Sequence, residues 1–283
     1  MENRRLGVLH PGNMGISIAA SAQNSGCAVY WASQGRSSQT RDRAEQYKLL
    51  DAGTLAELCQ ICSVIVSVCP PHAAEDLAAQ VVTQDFSGLY LDANAISPKR
   101  AVRIGEMMVA AGVDFVDGGI IGGPAWEPGQ TWLYLSGERA DEVADLFSAG
   151  PLETDVIGDG IGRASGLKMC YAAWTKGSTA LLCAILASAA ELDVWEELQH
   201  QWDRDWPDFA EKAVNRARRV TAKAWRFAGE MDEISATFAA AGLPGEFHAA
   251  AADLYRRIAH FKDAPAMPDL GEVLTALVRL GDV

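Results

Sequence analysis

Short apolar segments of strand length alternate with helical segments over the first half of the chain. The first of them, residues 6–10, leads through a glycine-containing turn into a run of small and apolar residues, 16–22. The other apolar segments that we interpret as strands are residues 28–32, 63–68, 88–92, 113–117 and 131–135. Strands that alternate with helices predict an α/β fold with a doubly wound parallel sheet.

The pattern changes near residue 160. Beyond it the periodicity is helical without a clear strand, and residues 164–190 read as one long helix rich in small and apolar side chains. A helix that is apolar on nearly all faces is buried, either at the centre of a domain or at a subunit interface. We therefore expect an α/β domain over residues 1–159 and an all-α domain over residues 160–283.

The turn after the first strand contains Gly12-Asn13-Met14-Gly15. Gly12 and Gly15 match the second and third glycines of the pattern GxGxxG, whose first position holds His10 in this chain. The second glycine lets the backbone approach a pyrophosphate, and the third lets the helix pack closely on the strand. The unpaired N–H groups and the dipole of a helix N-terminus favour an anion there. The turn predicts a Rossmann-like dinucleotide site; the alternative is an ordinary strand-to-helix turn.

The segment after the second strand indicates which dinucleotide would bind. NAD-binding folds place an Asp or Glu here to grip the ribose hydroxyls, but residues 33–41 contain no acid. Ser33, Arg36 and Ser37 instead offer two hydroxyls and a cation, which suit the 2′-phosphate of NADP(H). The alternative is a solvated loop.

Composition and charge narrow the class of protein. The chain has 283 residues, of which 49% are hydrophobic, and a net charge of −13. This composition is globular, and the negative charge argues against nucleic acid as the main partner because phosphate backbones require a basic face. The apolar runs are too short to span a bilayer and no signal peptide is recognisable, so we expect no membrane partner and a cytoplasmic location. Cys59 and Cys62 form an isolated CxxC, for which we expect no metal.

Four motifs follow one another along the chain in an order typical of one superfamily. They are residues 12–15 (GNMG), 92–98 (DANAISP), 117–123 (DGGIIGG) and 166–168 (GLK). With them the chain resembles the β-hydroxyacid dehydrogenase superfamily, which includes 6-phosphogluconate dehydrogenase, 3-hydroxyisobutyrate dehydrogenase and the imine reductases. The resemblance implies a Rossmann-like domain that binds NADP(H), a helical domain, a small-molecule substrate and a homodimer built through the long helix.

The resemblance also assigns a proton-transfer role to Lys168. On a helix Tyr171 and Thr175 follow at i+3 and i+7 and share its face. We therefore assign Lys168 and Tyr171 to catalysis and Thr175 to the substrate. The alternative is an exposed helix lysine without a role in chemistry.

Further residues are assigned from the motifs at 92–98 and 117–123 and from Cys69-Pro70, which follows the strand 63–68. Cys69, Pro70 and Asn94 are expected at the cofactor, and Asn94 together with Gly122 and Gly123 at the substrate. The backbone N–H groups of the two adjacent glycines could bind an anion.

Three departures from the superfamily pattern leave the substrate open. Ile121 stands where the hydroxyacid enzymes have a serine, Ala172 stands where they have an asparagine, and Asn94 replaces a serine. We expect an NADP(H)-dependent oxidoreductase that acts on a small anionic hydroxy or keto metabolite by hydride transfer. The alternatives are an imine reductase, which reduces C=N, and a non-catalytic sensor that binds NADP(H).

Overall fold

A computed structural model describes residues 4–278 and contains one central sheet in this part of the chain. Its strand order is β3-β2-β1-β4-β5-β6-β7-β8, and the described neighbours are parallel except for β6 and β7, which are antiparallel. The strands are β1 (Arg5–Val8), β2 (Ala28–Trp31), β3 (Leu50–Asp51), β4 (Val64–Ser67), β5 (Leu89–Asp92), β6 (Asp114–Ile121), β7 (Trp132–Ser136) and β8 (Glu153–Val156). The predicted doubly wound α/β sheet is confirmed.

Helices cover both faces of this sheet. Those of the first unit are α1 (Asn13–Asn24), α2 (Ser38–Gln46), α3 (Leu55–Ile61), α4 (Ala74–Val82), α5 (Pro98–Ala110) and α6 (Ala140–Ala144). Along β5, Leu89 and Leu91 join one hydrophobic cluster, whereas Tyr90 between them joins a second cluster. Successive side chains of a strand point to opposite faces, so the two clusters are the two sides of the sheet. Burial on both faces explains why the central strands have continuous apolar sequences.

Two short strands escaped the sequence prediction because they carry no apolar pattern. Both residues of β3 are exposed, and β8 contains no fully buried residue. Each lies at an edge of the sheet and is held by backbone pairing to a single neighbour, β2 or β7. Edge strands need little apolar surface, so the hydrophobic pattern does not reveal them.

The chain divides into two compact units, residues 1–169 and 170–283, so the boundary lies beyond the predicted 159/160. It falls inside helix α7 (Arg163–Ala172). A Cβ atom placed on Gly119 of β6 would lie 2.5 Å from the carbonyl oxygen of Ala164 and 3.1 Å from the Cβ of Lys168. The first turns of α7 therefore pack directly on the sheet, and Lys168 belongs to the first unit.

The second unit consists of helices and connecting segments, without a strand, in its described residues. Its helices are α8 (Ser178–Glu191), α9 (Trp195–Asp205), α10 (Phe209–Ala240), α11 (Glu246–Arg257) and α12 (Leu270–Val278). The predicted long helix 164–190 is present as α7 and α8, joined by a π-helical turn, Ala173–Gly177. Of the helices between residues 4 and 278, none is both long and apolar enough to cross a membrane.

The π-helical turn is supported by one arginine. Arg216 of α10 donates from Nη2 to the carbonyl oxygen of Thr175 at 2.7 Å and from Nε to the hydroxyl of Thr179 at 2.6 Å. A widened turn disrupts the regular helical ladder, and its carbonyl groups need other donors. The guanidinium supplies them and ties α10 to the long helix.

A buried ion pair lies beside the same turn. The ammonium of Lys176 pairs with the carboxylate of Glu230, and both side chains are almost completely buried. The same ammonium lies 4.9 Å from the centre of the Phe227 ring, and Tyr255 donates a hydrogen bond of 2.7 Å to the Lys176 carbonyl. A buried charge is tolerated only when it is paired in this way.

We expect Glu230→Gln to lower the free energy of unfolding of the helical unit by about 3 kcal/mol, because it leaves the Lys176 charge uncompensated in the interior. Urea unfolding followed by circular dichroism measures the change. The matched control is Asp232→Asn on the same helix, which breaks an exposed pair with Arg256 and should cost less than about 1 kcal/mol. Equal losses for the two variants would contradict the prediction.

Candidate functional site

The two glycines of the turn differ in the space at their Cβ positions: we call Gly12 open, because the space is free, and Gly15 closed, because it is filled. A Cβ on Gly12 would meet no atom of residues 4–278 within 4 Å, whereas a Cβ on Gly15 would lie 2.1 Å from the carbonyl oxygen of His10. Position 15 must therefore be glycine for α1 to pack against the turn, and position 12 leaves room for a ligand to approach the backbone. Asn13 and Met14 form the first turn of α1, exposed and half-buried respectively. Its amide groups favour an anion.

His10 occupies the place of the first glycine without straining the turn. Its backbone does not have a positive φ, so a side chain is tolerated there. Burial, with the charge of Arg36 as the smaller cause, lowers the pKa of His10 to about 4. The imidazole is therefore neutral at pH 7 and contributes no charge to an anion site.

Arg36 lies against the glycine turn. Its Nη2 donates to the carbonyl oxygen of Leu9 at 3.1 Å, and the side chain is half-buried, which lowers its pKa. Arg43, which the sequence interpretation did not single out, donates from Nη1 to the carbonyl oxygen of Pro11 at 3.2 Å. The only sequence signal for Arg43 was its charge on the first helix after β2. Two cations thus flank the turn.

Ser33 and Ser37, which are predicted at the cofactor, accept hydrogen bonds from other residues of the same segment. Ser37 is the N-cap of α2, and its Oγ accepts a hydrogen bond from the Thr40 amide at 3.3 Å. Ser33 is buried, and its carbonyl accepts from Arg41 at 2.7 Å. Both lie in the loop that carries Arg36, so they shape the loop whether or not they contact a ligand.

Asn94 joins the loops after β4 and β5. It is 2% exposed; its Oδ1 accepts from the Cys69 amide at 2.5 Å, and its Nδ2 donates to the Ser67 hydroxyl at 3.0 Å. Its side-chain amide is thus engaged inside the protein, at the carboxyl edge of the sheet. Burial raises the pKa of Cys69 to about 12, so its thiol is neutral. Pro70 follows Cys69 and precedes a single 3₁₀ turn.

Gly122 and Gly123 lie just after β6 and differ in their surroundings. Gly122 has a φ of +127°, and a Cβ there would lie 2.5 Å from the Gln130 carbonyl oxygen. Gly123 has open space at its Cβ position among the described atoms, and its carbonyl accepts from the Thr131 hydroxyl at 2.8 Å. The first glycine is required by the backbone, and the second leaves the segment accessible.

Lys168 is half-buried on α7, next to Gly119 of β6. Tyr171 follows on the same helix, within the second unit, and is exposed. Thr175 lies in the π-helical turn, where its hydroxyl donates to the Tyr171 carbonyl at 3.2 Å. The wider turn alters the i+7 spacing that the sequence prediction assumed, so only Lys168 and Tyr171 keep ordinary helical spacing.

The CxxC cysteines have the environment of packed apolar residues. Burial raises the pKa of Cys59 to about 11 and that of Cys62 to about 12, so both thiols are protonated. The part of the chain that the structure describes contains no cluster of His, Cys, Asp and Glu that could hold a metal ion.

Comparison with known families gives two matches. Residues 5–147 match the family described as the NAD binding domain of 6-phosphogluconate dehydrogenase. Residues 189–258 match a domain of unknown function, DUF1932.

Individual proteins are similar over most of the fold. An uncharacterized 28.5 kDa protein from Methanothermus fervidus is 29% identical over 166 residues, which is 58% of this chain and 63% of that protein. The 3-hydroxyisobutyrate dehydrogenase of Mycobacterium tuberculosis, solved with L-serine, is 16% identical, with a TM-score of 0.70 over 98% of this chain and 99% of that one. A reductive aminase from Aspergillus terreus, solved with NADPH4, cyclohexanone and allyl amine, is 14% identical, with a TM-score of 0.57 over 96% and 99%.

The match to residues 5–147 covers half of the chain and contains the glycine turn, Arg36 and the Asn94 bridge. The sheet, the open Gly12 and the closed Gly15 have the geometry that a dinucleotide requires. The chain therefore belongs to the family of the 6-phosphogluconate dehydrogenase NAD-binding domain, and its first unit is an NAD(P)-binding domain.

Proposed function

We propose that the protein is an NADP(H)-dependent oxidoreductase that transfers a hydride to or from a small anionic hydroxy or keto metabolite. The observation that carries the proposal is the packing of α7 on β6 at Gly119, which fixes Lys168 within the NAD(P)-binding unit. Hydride transfer at a carbon needs a proton donor or acceptor at the attached heteroatom. Lys168 is our candidate for that group.

The preference for NADP(H) over NAD(H) is supported by the loop after β2. Residues 33–41 hold no carboxylate that would bind ribose hydroxyls or repel a phosphate. Arg36 is held against the turn by its bond to Leu9, and a positioned guanidinium binds phosphate through charge-assisted hydrogen bonds. Ser33, Ser37, Cys69, Pro70 and Asn94 are proposed to complete the cofactor site.

Substrate binding is assigned to five positions. The amide groups of Gly122 and Gly123 are proposed to bind an anionic group, and Asn94, Tyr171 and Thr175 to orient the substrate. The hydroxyacid enzymes use a serine and an asparagine where this chain has Ile121 and the buried Ala172. Because these two polar groups are absent, we also consider a second reaction, the reduction of C=N. The names of the similar reductive aminases suggest the same reaction.

A non-catalytic sensor of NADP(H) is the alternative from another class. It would bind NADPH tightly and turn over none of a broad panel of keto acids and imines. Turnover of any of them by the unmodified protein excludes it. Whether the protein is an oxidoreductase or a sensor, we propose that it is located in the cytoplasm and has no nucleic acid or membrane partner.

A homodimer formed through the long helix is part of the proposal. Along this helix Trp174 and Leu181 are exposed by 73% and 46%, and Leu192, directly after its last residue, is exposed by 71%. Exposed apolar side chains on one element favour burial against a partner, and a second copy of the same chain is the commonest partner.

We expect Leu181→Glu to halve the molar mass measured by light scattering at micromolar concentration, because it places a charge in the proposed dimer interface. Leu243→Glu is the matched control, since Leu243 is also exposed in the helical unit, by 55%, but lies outside the long helix. A dimer that persists in Leu181→Glu, or a monomeric unmodified protein, would exclude this interface.

We expect Arg36→Ala to raise the dissociation constant for NADPH about 5- to 150-fold and to leave that for NADH nearly unchanged. The expectation follows from about 1–3 kcal/mol for the loss of a charge-assisted contact that NADH lacks. Fluorescence titration measures both constants. Arg103→Ala, on the exposed face of α5, is the control. Equal affinities of the unmodified protein for NADPH and NADH would overturn the proposed preference.

We expect Lys168→Ala to reduce kcat about 10²–10⁴-fold on a substrate found in the keto-acid and imine panel, with NADPH affinity close to normal. Lys168→Arg should not restore the rate, because arginine stays protonated and cannot exchange the proton. Steady-state kinetics with NADPH oxidation as the readout test both variants. Near-normal kcat in Lys168→Ala would reject the lysine, and Tyr171 would then be tested.

A further inference from the structure

We propose that Asp117 is a positioning residue that anchors the start of α7 to the sheet and thereby fixes the place and the electrostatic surroundings of Lys168. The inference rests on the proposed function of Lys168. It concerns contacts within the first unit, and no comparison assigns this role to Asp117.

The carboxylate of Asp117 is completely buried and accepts four hydrogen bonds. Its Oδ2 accepts from the Gly162 amide at 2.9 Å, the Ser165 amide at 3.0 Å and the Ser136 hydroxyl at 3.1 Å. Its Oδ1 accepts from the Ser165 hydroxyl at 2.5 Å. These donors come from β7, from the first residues of α7 and from the loop that precedes α7. One side chain of β6 therefore joins two other elements.

The donors identify which form of the side chain the site accommodates. Burial raises the pKa of Asp117, and the four donors oppose that rise. Both oxygens face N–H or O–H groups, including helix N-terminal amides, and these stabilise a carboxylate better than a neutral acid.

The neighbouring carboxyl group, that of Asp92, has a raised pKa and fewer donors. Asp92 is in register with Asp117 on the adjacent strand β5. Burial and the charge of Asp117 raise the pKa of Asp92 to about 7. Of the two acids, Asp117 has four donors and Asp92 accepts a bond from the Asn94 amide at 2.9 Å, so the negative charge is best accommodated on Asp117.

The anchor acts on the turn that carries the lysine. Asp117 and Gly119 point to the same face of β6, about 7 Å apart along the strand, and the Cβ position of Gly119 is 3.1 Å from the Cβ of Lys168. Ser165, which donates two of the four bonds, lies one helical turn before Lys168. Loss of the anchor would release this turn from the sheet and remove a negative charge near the lysine.

Asp117→Asn tests the inference because the side-chain amide has nearly the shape of the carboxylate. Its NH2 group is a donor, however, and would face the N–H or O–H donors that the carboxylate oxygen accepts from. In the otherwise unmodified protein we expect kcat to fall about 10- to 100-fold with NADPH affinity unchanged within twofold. In the Lys168→Ala background the same substitution should cause no further loss of kcat, since the group that it positions is already absent. A merely structural role predicts equal losses in both backgrounds.

A second readout does not depend on turnover. Reductive methylation with ¹³C-formaldehyde labels the lysine amines, and the Lys168 resonance is identified by its absence in Lys168→Ala. In Asp117→Asn we expect this resonance to titrate at a pH lower by about half a unit or more, because the variant removes a negative charge that favours the ammonium form. An unchanged titration together with equal kcat losses would overturn the inference.

The controls separate this inference from the proposed function and from misfolding. Asp114→Asn makes the same change at the exposed start of β6 and should affect neither readout. If Asp117→Asn does not fold, Ser165→Ala removes one hydroxyl bond and keeps the amide bonds; it should shift the rate and the titration in the same direction by a smaller amount. If Lys168→Ala retains full kcat, the proposed proton-transfer role of Lys168 fails, while the Lys168 titration in Asp117→Asn still decides whether Asp117 is coupled to it.

Discussion

Helix α7 can lie against strand β6 only because residue 119 has no side chain. A Cβ there would come within 2.5 Å of the Ala164 backbone, so any other residue would force the helix away from the sheet. The position of Lys168, the location of the boundary between the two units and the four bonds of Asp117 all depend on this close approach. Gly15 plays the equivalent part for α1, where it lets the helix N-terminus reach the turn that is proposed to hold the cofactor phosphates.

Buried charges in both units are placed where they have partners. Asp117 has two amides and two hydroxyls in the first unit. Lys176 has Glu230 and the face of Phe227 in the second unit, beside the π-helical turn. An isolated charge in the same places would destabilise the fold by several kcal/mol. These groups therefore specify one arrangement of the elements that they join, and Lys168 and Thr175, which are proposed to function in the site, are carried on those elements.

The proposed chemistry combines a cofactor site with altered contacts to the substrate. The NAD(P)-binding unit has an open glycine, two arginines beside the turn and the Asn94 bridge between two strand ends. Ile121 and Ala172 replace polar groups that hydroxyacid enzymes use, so recognition of the substrate would rest more on backbone amides and on Tyr171. Since cofactor binding depends on the turn and substrate choice on a few side chains, the second can change while the first is retained.

The sequence by itself determined the central strands, the glycine turn and the long helix, because each has a local apolar period or a local backbone requirement. It also determined the family, through motifs in a set order. The edge strands β3 and β8, the extension of the first unit to residue 169 and the contacts of Arg43 were decided by tertiary structure. So was the role of Asp117, whose partners lie 19 to 48 residues further along the chain. Bonds over such separations leave no periodic trace in the sequence, since they exist only after the sheet has brought the strands and α7 together.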